Sequence, residues 1–160
     1  MGWKPVTRAA ATSGAAEGTT SLNAFDNALL AAGIGNINLV KVSSILPPGA
    51  EIVDLPRLKP GAIVPTAFAA HTSQVAGEVV VAAIGWARAE DPAKNGVIME
   101  FSGRSTREAG ERAIIDMLEA SFKVRGWTIR DMRICCVEHR VERMGCALAA
   151  MALLSDDDIL

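Results

Sequence analysis

Residues 37–53 read INLVKVSSILPPGAEIV, and this stretch decides what kind of fold the chain adopts. From Ile37 to Leu46 the run is β-rich and nearly continuous in apolar residues. That pattern predicts a strand buried on both faces rather than one with a wet side. Pro47 and Pro48 end it, because proline has no N–H to give to a ladder. A strand covered on both faces needs a layer above and a layer below, and the flanking sequence supplies candidates for both.

Upstream, residues 5–13 (PVTRAAATS) predict a first strand. Thr19, Thr20 and Ser21 offer N-caps for a helix over about 20–33, stopped by Gly33 or Gly35. Leu22, Phe25, Leu29 and Ala32 fall on one helical face. Asp26 falls in that same stripe, where an acid either reaches solvent from its edge or faces a cleft. Downstream, residues 56–66 contain Pro56, Pro60, Gly61 and Pro65 and read as an irregular connection. Residues 78–86 and 96–102 predict two strands, separated by a polar turn over 87–95.

Ser105 and Glu108 have capping-box spacing before a helix over 106–125. Ile114, Met117, Leu118 and Ser121 line one side of it, and Gly126 closes it. WTIRDMRICCVEHRVE and MGCALAAMALL predict two closing strands paired as a hairpin, although Ala and Leu in the second favour a helix. The tail SDDDIL reads as frayed. There is no internal repeat and no long linker, so residues 1–160 form one domain. Strands outnumber helices without strict alternation, which predicts an α+β fold with helices covering a mainly antiparallel sheet.

The formal net charge is −2, and no basic stripe with interleaved aromatics occurs, which argues against a nucleic-acid groove. Cys135, Cys136 and Cys146 have no CxxC spacing, so neither a disulfide framework nor a zinc knuckle is expected. Reduced thiols and the lack of an apolar leader predict a cytoplasmic protein. The longest apolar run, Cys146 to Leu154, is too short for a membrane span. Aromatic residues make up only 4% of the chain, so the core rests on small aliphatic side chains. These bury little area each, and oligomerisation would cover surface that one chain cannot.

No dinucleotide fingerprint, P-loop or HExxH motif is present. His71 and His139 read as structural or surface residues. Glu138 beside His139 points to the opposite strand face, so that pair makes no metal site. What remains is Ser43-Ser44, at the end of the apolar run and shortly before Pro-Pro.

Taken together, EGTTSLNAFDNALLAAGIGNINLVKVSSILPPGAEIV, GAIVPTA, NGVIMEFSG, RGW and VEHRVERMGCALAAMAL resemble the pyruvoyl-dependent arginine decarboxylase family. The matching blocks run from about Thr12 to about Leu153. The resemblance implies an αββα-type sandwich and self-cleavage between Ser43 and Ser44. That cut would leave a β chain of residues 1–43 and an α chain of 44–160. Ser44 would become a covalent pyruvoyl cofactor, with no metal and no pyridoxal phosphate. The pyruvoyl carbonyl would form a Schiff base with L-arginine, giving agmatine and carbon dioxide, as in polyamine biosynthesis.

By the same resemblance Glu100 is the proton donor, Asn38 assists cleavage, and Asp26 binds the guanidinium. A carboxylate can take guanidinium in a bidentate fork. Gly35, Ile98 and Ser43 line the substrate site. Between Met99 and Phe101, desolvation would favour the protonated form of Glu100. Six residues of strand span roughly 20 Å. Asn38 of a regular strand therefore cannot touch its own Ser44. Either the chain bends, or Asn38 serves a neighbouring subunit in a trimer of αβ units or a hexamer built from it. Two alternatives stay open: a pyruvoyl decarboxylase for another amino acid, and an uncleaved, non-catalytic interaction subunit.

Overall fold

The computed structural model describes residues 3–160. It holds β1 (Arg8–Glu17), α1 (Ser21–Ala31), β2 (Asn38–Lys41), β3 (Ile45–Leu46), β4 (Glu51–Ile52), β5 (Ile63–Ser73), β6 (Val79–Ala89), β7 (Gly96–Arg104), α2 (Arg107–Arg125), β8 (Ile129–Arg140) and β9 (Gly145–Leu154). One sheet has the order β2-β5-β9-β1-β4, the other β3-β7-β6-β8. Pairing is antiparallel except for β2 with β5 and β1 with β4. The α+β class and the sandwich are thus as expected.

Three apolar layers hold the sandwich together. Val80, Ala82, Ile84 and Trp86 of β6 meet Ala147, Ala149, Met151 and Leu153 of β9 between the sheets. On the outer side of β9, Cys146, Leu148 and Ala150 pack on α1. Outside the other sheet, Ala83 and Ala87 of β6 pack on Ile114, Leu118 and Phe122 of α2. β9 is buried along its whole length because sheet and helix cover opposite faces. Its helix-favouring Ala and Leu are overridden by ladders on both edges, to β1 and to β5.

Several elements differ from the sequence expectation. The first strand runs over Arg8–Glu17, not 5–13. On α1 Ala24 and Ala28 are the fully buried residues, Ala32 is buried and Phe25 and Leu29 pack on the same core as expected, while Leu22 departs from the stripe and is 73% exposed. The helix lies so close to β1 that a Cβ on Gly14 would sit 2.6 Å from the Ala28 carbonyl oxygen, and only small residues fit that contact. β5 was expected as an irregular connection up to residue 66. It tolerates Pro65 because its pairing with β9 begins one residue later, at Thr66.

The cap of α2 is Thr106 rather than Ser105, its hydroxyl accepting from the N–H of Ala109. Gly126, at φ 69°, ends the helix as expected. β8 and β9 are consecutive but form no hairpin; they lie in different sheets. The tail is docked rather than frayed. The N–H of Lys59 binds the carbonyl of Asp158, and the N–H of Leu160 binds that of Arg57. No helix among the described residues is long and apolar enough to cross a membrane.

The largest correction concerns Ile37 to Leu46. This run is not one strand buried on both faces. β2 is an edge strand whose Asn38, Val40 and Lys41 are exposed. After Lys41 the chain leaves that sheet, and β3 joins the other one beside β7. The apolar run serves two sheets in turn, which periodicity alone cannot separate from one long strand.

Candidate active site

The crossing between the sheets is short. Val42 N–H still binds Thr66 of the first sheet (3.3 Å), while the Ser44 carbonyl already accepts from Ile98 N–H of the second (2.9 Å). Only Ser43 lies between these two anchors. Ser44 absorbs the turn at φ 73°, and it is the only non-glycine residue at positive φ among the described residues. A serine held there costs about 1–3 kcal/mol, and persists where flanking hydrogen bonds fix the backbone.

Glu100 comes from the middle of β7. Its neighbours Met99 and Phe101 face α2, while Ile98 packs between the sheets. With a strand period of two, Glu100 shares the inner side with Ile98. The Ser44 hydroxyl donates to Glu100 Oε2 at 3.2 Å. Glu100 Oε1 lies 3.3 Å from Lys41 Nζ. The apolar enclosure expected for Glu100 is therefore replaced by a serine and an ammonium.

Ser43, Ser44, Ile98 and Glu100 line one cavity of about 240 Å³, together with Ser121 and Arg125 of α2. Arg125 Nη1 is held by Ser121, donating to its carbonyl at 3.2 Å and to its hydroxyl at 2.5 Å. A larger hollow of about 600 Å³ lies beside Pro60, Gly61 and Ile63. It has neither Ser44 nor Glu100 in its wall, and the smaller cavity is the one that both of them line.

The other expected site residues lie elsewhere in the single chain. Asp26 is exposed on α1. Gly35 lies in the α1–β2 connection against Leu30. Asn38 is exposed on the edge strand and donates from Nδ2 to the Gly61 carbonyl at 3.2 Å. None of the three lines the Ser44 cavity.

Sequence reasoning missed Lys41, Ser121 and Arg125 as members of this site. Lys41 had a signal: it is the one charged residue in the apolar run 37–46. Ser121 had one too, as a polar residue within the apolar stripe of α2. Arg125 had none.

His139 is structural, as expected. Its Nε2 donates to Glu17 Oε2 at 2.5 Å, while Glu17 Oε1 accepts from the N–H groups of Glu142, Arg143 and Met144. Glu138 turns the other way and binds the N–H of Arg107 at the start of α2.

Two helices enclosing paired sheets, with a strained serine on a carboxylate between them, define a class of fold and site. A solved structure described as pyruvoyl-dependent histidine decarboxylase at pH 8 matches with a TM-score of 0.54 and 18% identity. The match covers 62% of this chain and 54% of that one, and shows the sandwich as a fold of pyruvoyl-dependent decarboxylases.

The chain belongs to the pyruvoyl-dependent arginine decarboxylase family, whose model matches residues 8–158. A pyruvoyl-dependent arginine decarboxylase of Methanocaldococcus jannaschii is 49% identical over 140 residues, 88% of this chain and 85% of that protein. One of Thermococcus sibiricus is 41% identical over 157 residues, 96% and 99% of the two chains. One of Pyrococcus abyssi is 40% identical over 156 residues, 96% and 98%.

Proposed function

We propose that this chain decarboxylates L-arginine to agmatine and carbon dioxide, with a pyruvoyl group made from its own Ser44. Family membership supports the reaction and the cofactor. The observation that carries the self-processing is Ser44 itself: strained, at the join of two sheets, with its hydroxyl on a carboxylate.

In the proposed cleavage, Ser44 Oγ gives its proton to Glu100 Oε2 and attacks the carbonyl carbon of Ser43. The C–O bond forms, the C–N bond breaks and the freed Ser44 nitrogen takes up the proton held by Glu100, so the peptide becomes an ester with a free amine and part of the backbone strain is released. Loss of the Ser44 Cα hydrogen then expels the Ser43 carboxylate and leaves dehydroalanine. Water hydrolyses its imine tautomer, ammonia departs, and a ketone remains at residue 44. A serine hydroxyl is a weak nucleophile unaided, so the adjacent base and the fixed geometry both matter.

The residues present suit such a group. The bond from Ile98 N–H to the Ser44 carbonyl, with the β3–β7 pairing behind it, would keep residue 44 in place after the cut. A pyruvoyl carbonyl supplies the electron sink that loss of carbon dioxide requires. Glu100 Oε2, within hydrogen-bond reach of the residue 44 side chain, is placed to hold a proton for return to the substrate carbon. Ile98 and Ser43 line the cavity beside them.

Asp26, Gly35 and Asn38 belong to the same reading through a neighbouring copy. Asp26 would meet the guanidinium of arginine, and Asn38 would assist cleavage of the neighbour's Ser43–Ser44 bond. A trimer of cleaved units, or a hexamer built from it, follows. Its support is the unpaired edge of β2, with Val40, Ile45 and Ile63 exposed nearby, and the separation of these three residues from Ser44. Free cysteines suit work in the cytoplasm.

Intact-mass measurement of the purified chain, followed by incubation with arginine, tests the proposal. Two fragments of 1–43 and 44–160, the second carrying a ketone, with release of agmatine, are expected. A single uncut species that releases no carbon dioxide from arginine would reject it. Turnover of a different amino acid instead would reject the substrate assignment alone.

A further inference from the structure

We infer that Lys41 is a positioning residue for this site: its ammonium holds one oxygen of Glu100 and so turns the other toward Ser44. The inference rests on the functional reading above. A glutamate side chain has three rotatable bonds, and a carboxylate free to rotate spends little time aimed at one hydroxyl. Here Oε1 faces Lys41 Nζ at 3.3 Å while Oε2 accepts from Ser44 at 3.2 Å. With one oxygen occupied, the other has one direction to point.

Lys41 is itself held. Its backbone pairs with Thr66 across β2 and β5. Its ammonium lies 4.8 Å from the centroid of the Phe68 ring, a cation–π contact. Phe68 in turn packs 6.5 Å from the ring of Phe25 on α1. A line of contacts therefore runs from α1 through Phe25, Phe68 and Lys41 to Glu100 and Ser44. Lys41 reaches Glu100 from outside the cavity wall, and the cation that does line it, Arg125 of α2, is occupied by Ser121.

Magnitudes decide between a structural and a positioning role. The Lys41 side chain is 55% exposed, and exposed ion pairs add little to stability. The pair is therefore not there to hold the fold. Its consequence is orientation, and orientation is read in rates. The pair also spans the proposed cut, with Lys41 on the 1–43 side and Glu100 on the 44–160 side. Cleavage would leave Glu100 still held.

The test uses the full chain with Lys41→Met, which keeps length and removes charge, and Lys41→Arg, which restores charge. Conversion to fragments, kcat and KM for arginine, and Tm are measured beside the parent. For Lys41→Met, self-cleavage and kcat are each expected to fall about tenfold, with KM and Tm nearly unchanged. Lys41→Arg should recover most of both rates. Parent-like rates in Lys41→Met would overturn the inference. So would a rise in KM at constant kcat, or an equal loss in both variants with a lowered Tm. A parent chain that neither cleaves nor decarboxylates arginine would instead overturn the functional reading, and this inference with it.

Discussion

At the scale of single residues, Ser44 is placed by its backbone and Glu100 by its strand. The φ of 73° is fixed by hydrogen bonds to two different sheets, so the strain cannot relax by moving one of them. Because Ser44 donates directly to Glu100, the carboxylate belongs to both proposed stages, first as base and later as acid. Glu100→Gln keeps a hydrogen-bonding group but can neither accept the serine proton nor deliver one at neutral pH. Cleavage should slow, and arginine turnover by whatever fraction is cut should fall by about 10²–10⁴-fold. Time-resolved mass spectrometry and a carbon dioxide assay read the two stages separately. Parent-like turnover would show that the proton comes from another group.

Elements set how close such residues come. α1 lies against β1 at Gly14, where an added Cβ would meet the Ala28 carbonyl oxygen and the Ala32 nitrogen at 2.6 Å each. These are backbone atoms, so Gly14→Ala would push the helix outward. A loss of about 1–3 kcal/mol is expected in urea unfolding, as for other overpacked contacts. An unchanged midpoint and m-value would mean that the helix seat is loose.

The end of β1 carries a second device. Burial alone would raise the Glu17 carboxyl, but the hydrogen bond from His139 and those from the Arg143, Met144 and Glu142 N–H groups outweigh it and lower it overall. The folded chain therefore binds this proton less tightly than the unfolded chain. The resulting stability is present above the ordinary carboxylate value of 4.5, and is lost as pH falls through the lowered folded value. Glu17→Gln should lower Tm at pH 7, and its gap to the parent should close on acidification below about pH 4. A gap that stays constant with pH would remove the carboxylate from this role.

For the whole molecule, the question is which chain completes which site. Asp26 and Asn38 are exposed in the single chain and do not line the cavity that holds Ser44. Subunits carrying Ser44→Ala should remain uncut yet still present a normal Asp26. Subunits carrying Asp26→Asn should cleave yet bind guanidinium poorly, with kcat/KM reduced on the order of 10²-fold. Co-expressed and purified as mixed oligomers, the two should recover a fraction of parent activity that neither has alone. Native mass spectrometry would establish that hybrids form. Active parent monomers, or inactive hybrids, would place the complete site within one chain.

Much of this protein is legible in the order of its residues. The class of fold, the helices and most strands among the described residues follow from periodicity, caps and prolines, which are local signals, while the candidate Ser43-Ser44 pair and Glu100 come from the family-specific blocks. Gly126 ends α2 and Pro47-Pro48 end β3 for reasons carried by those residues themselves. What the sequence could not decide is how the apolar run 37–46 is used. Continuous hydrophobicity records burial, not which sheet does the burying, so one strand and two strands look alike. Only the tertiary structure divides the run between two sheets. That division turns an ordinary serine into a strained one, and brings Lys41 and Glu100 to it from opposite sides of a gap that no sequence spacing records.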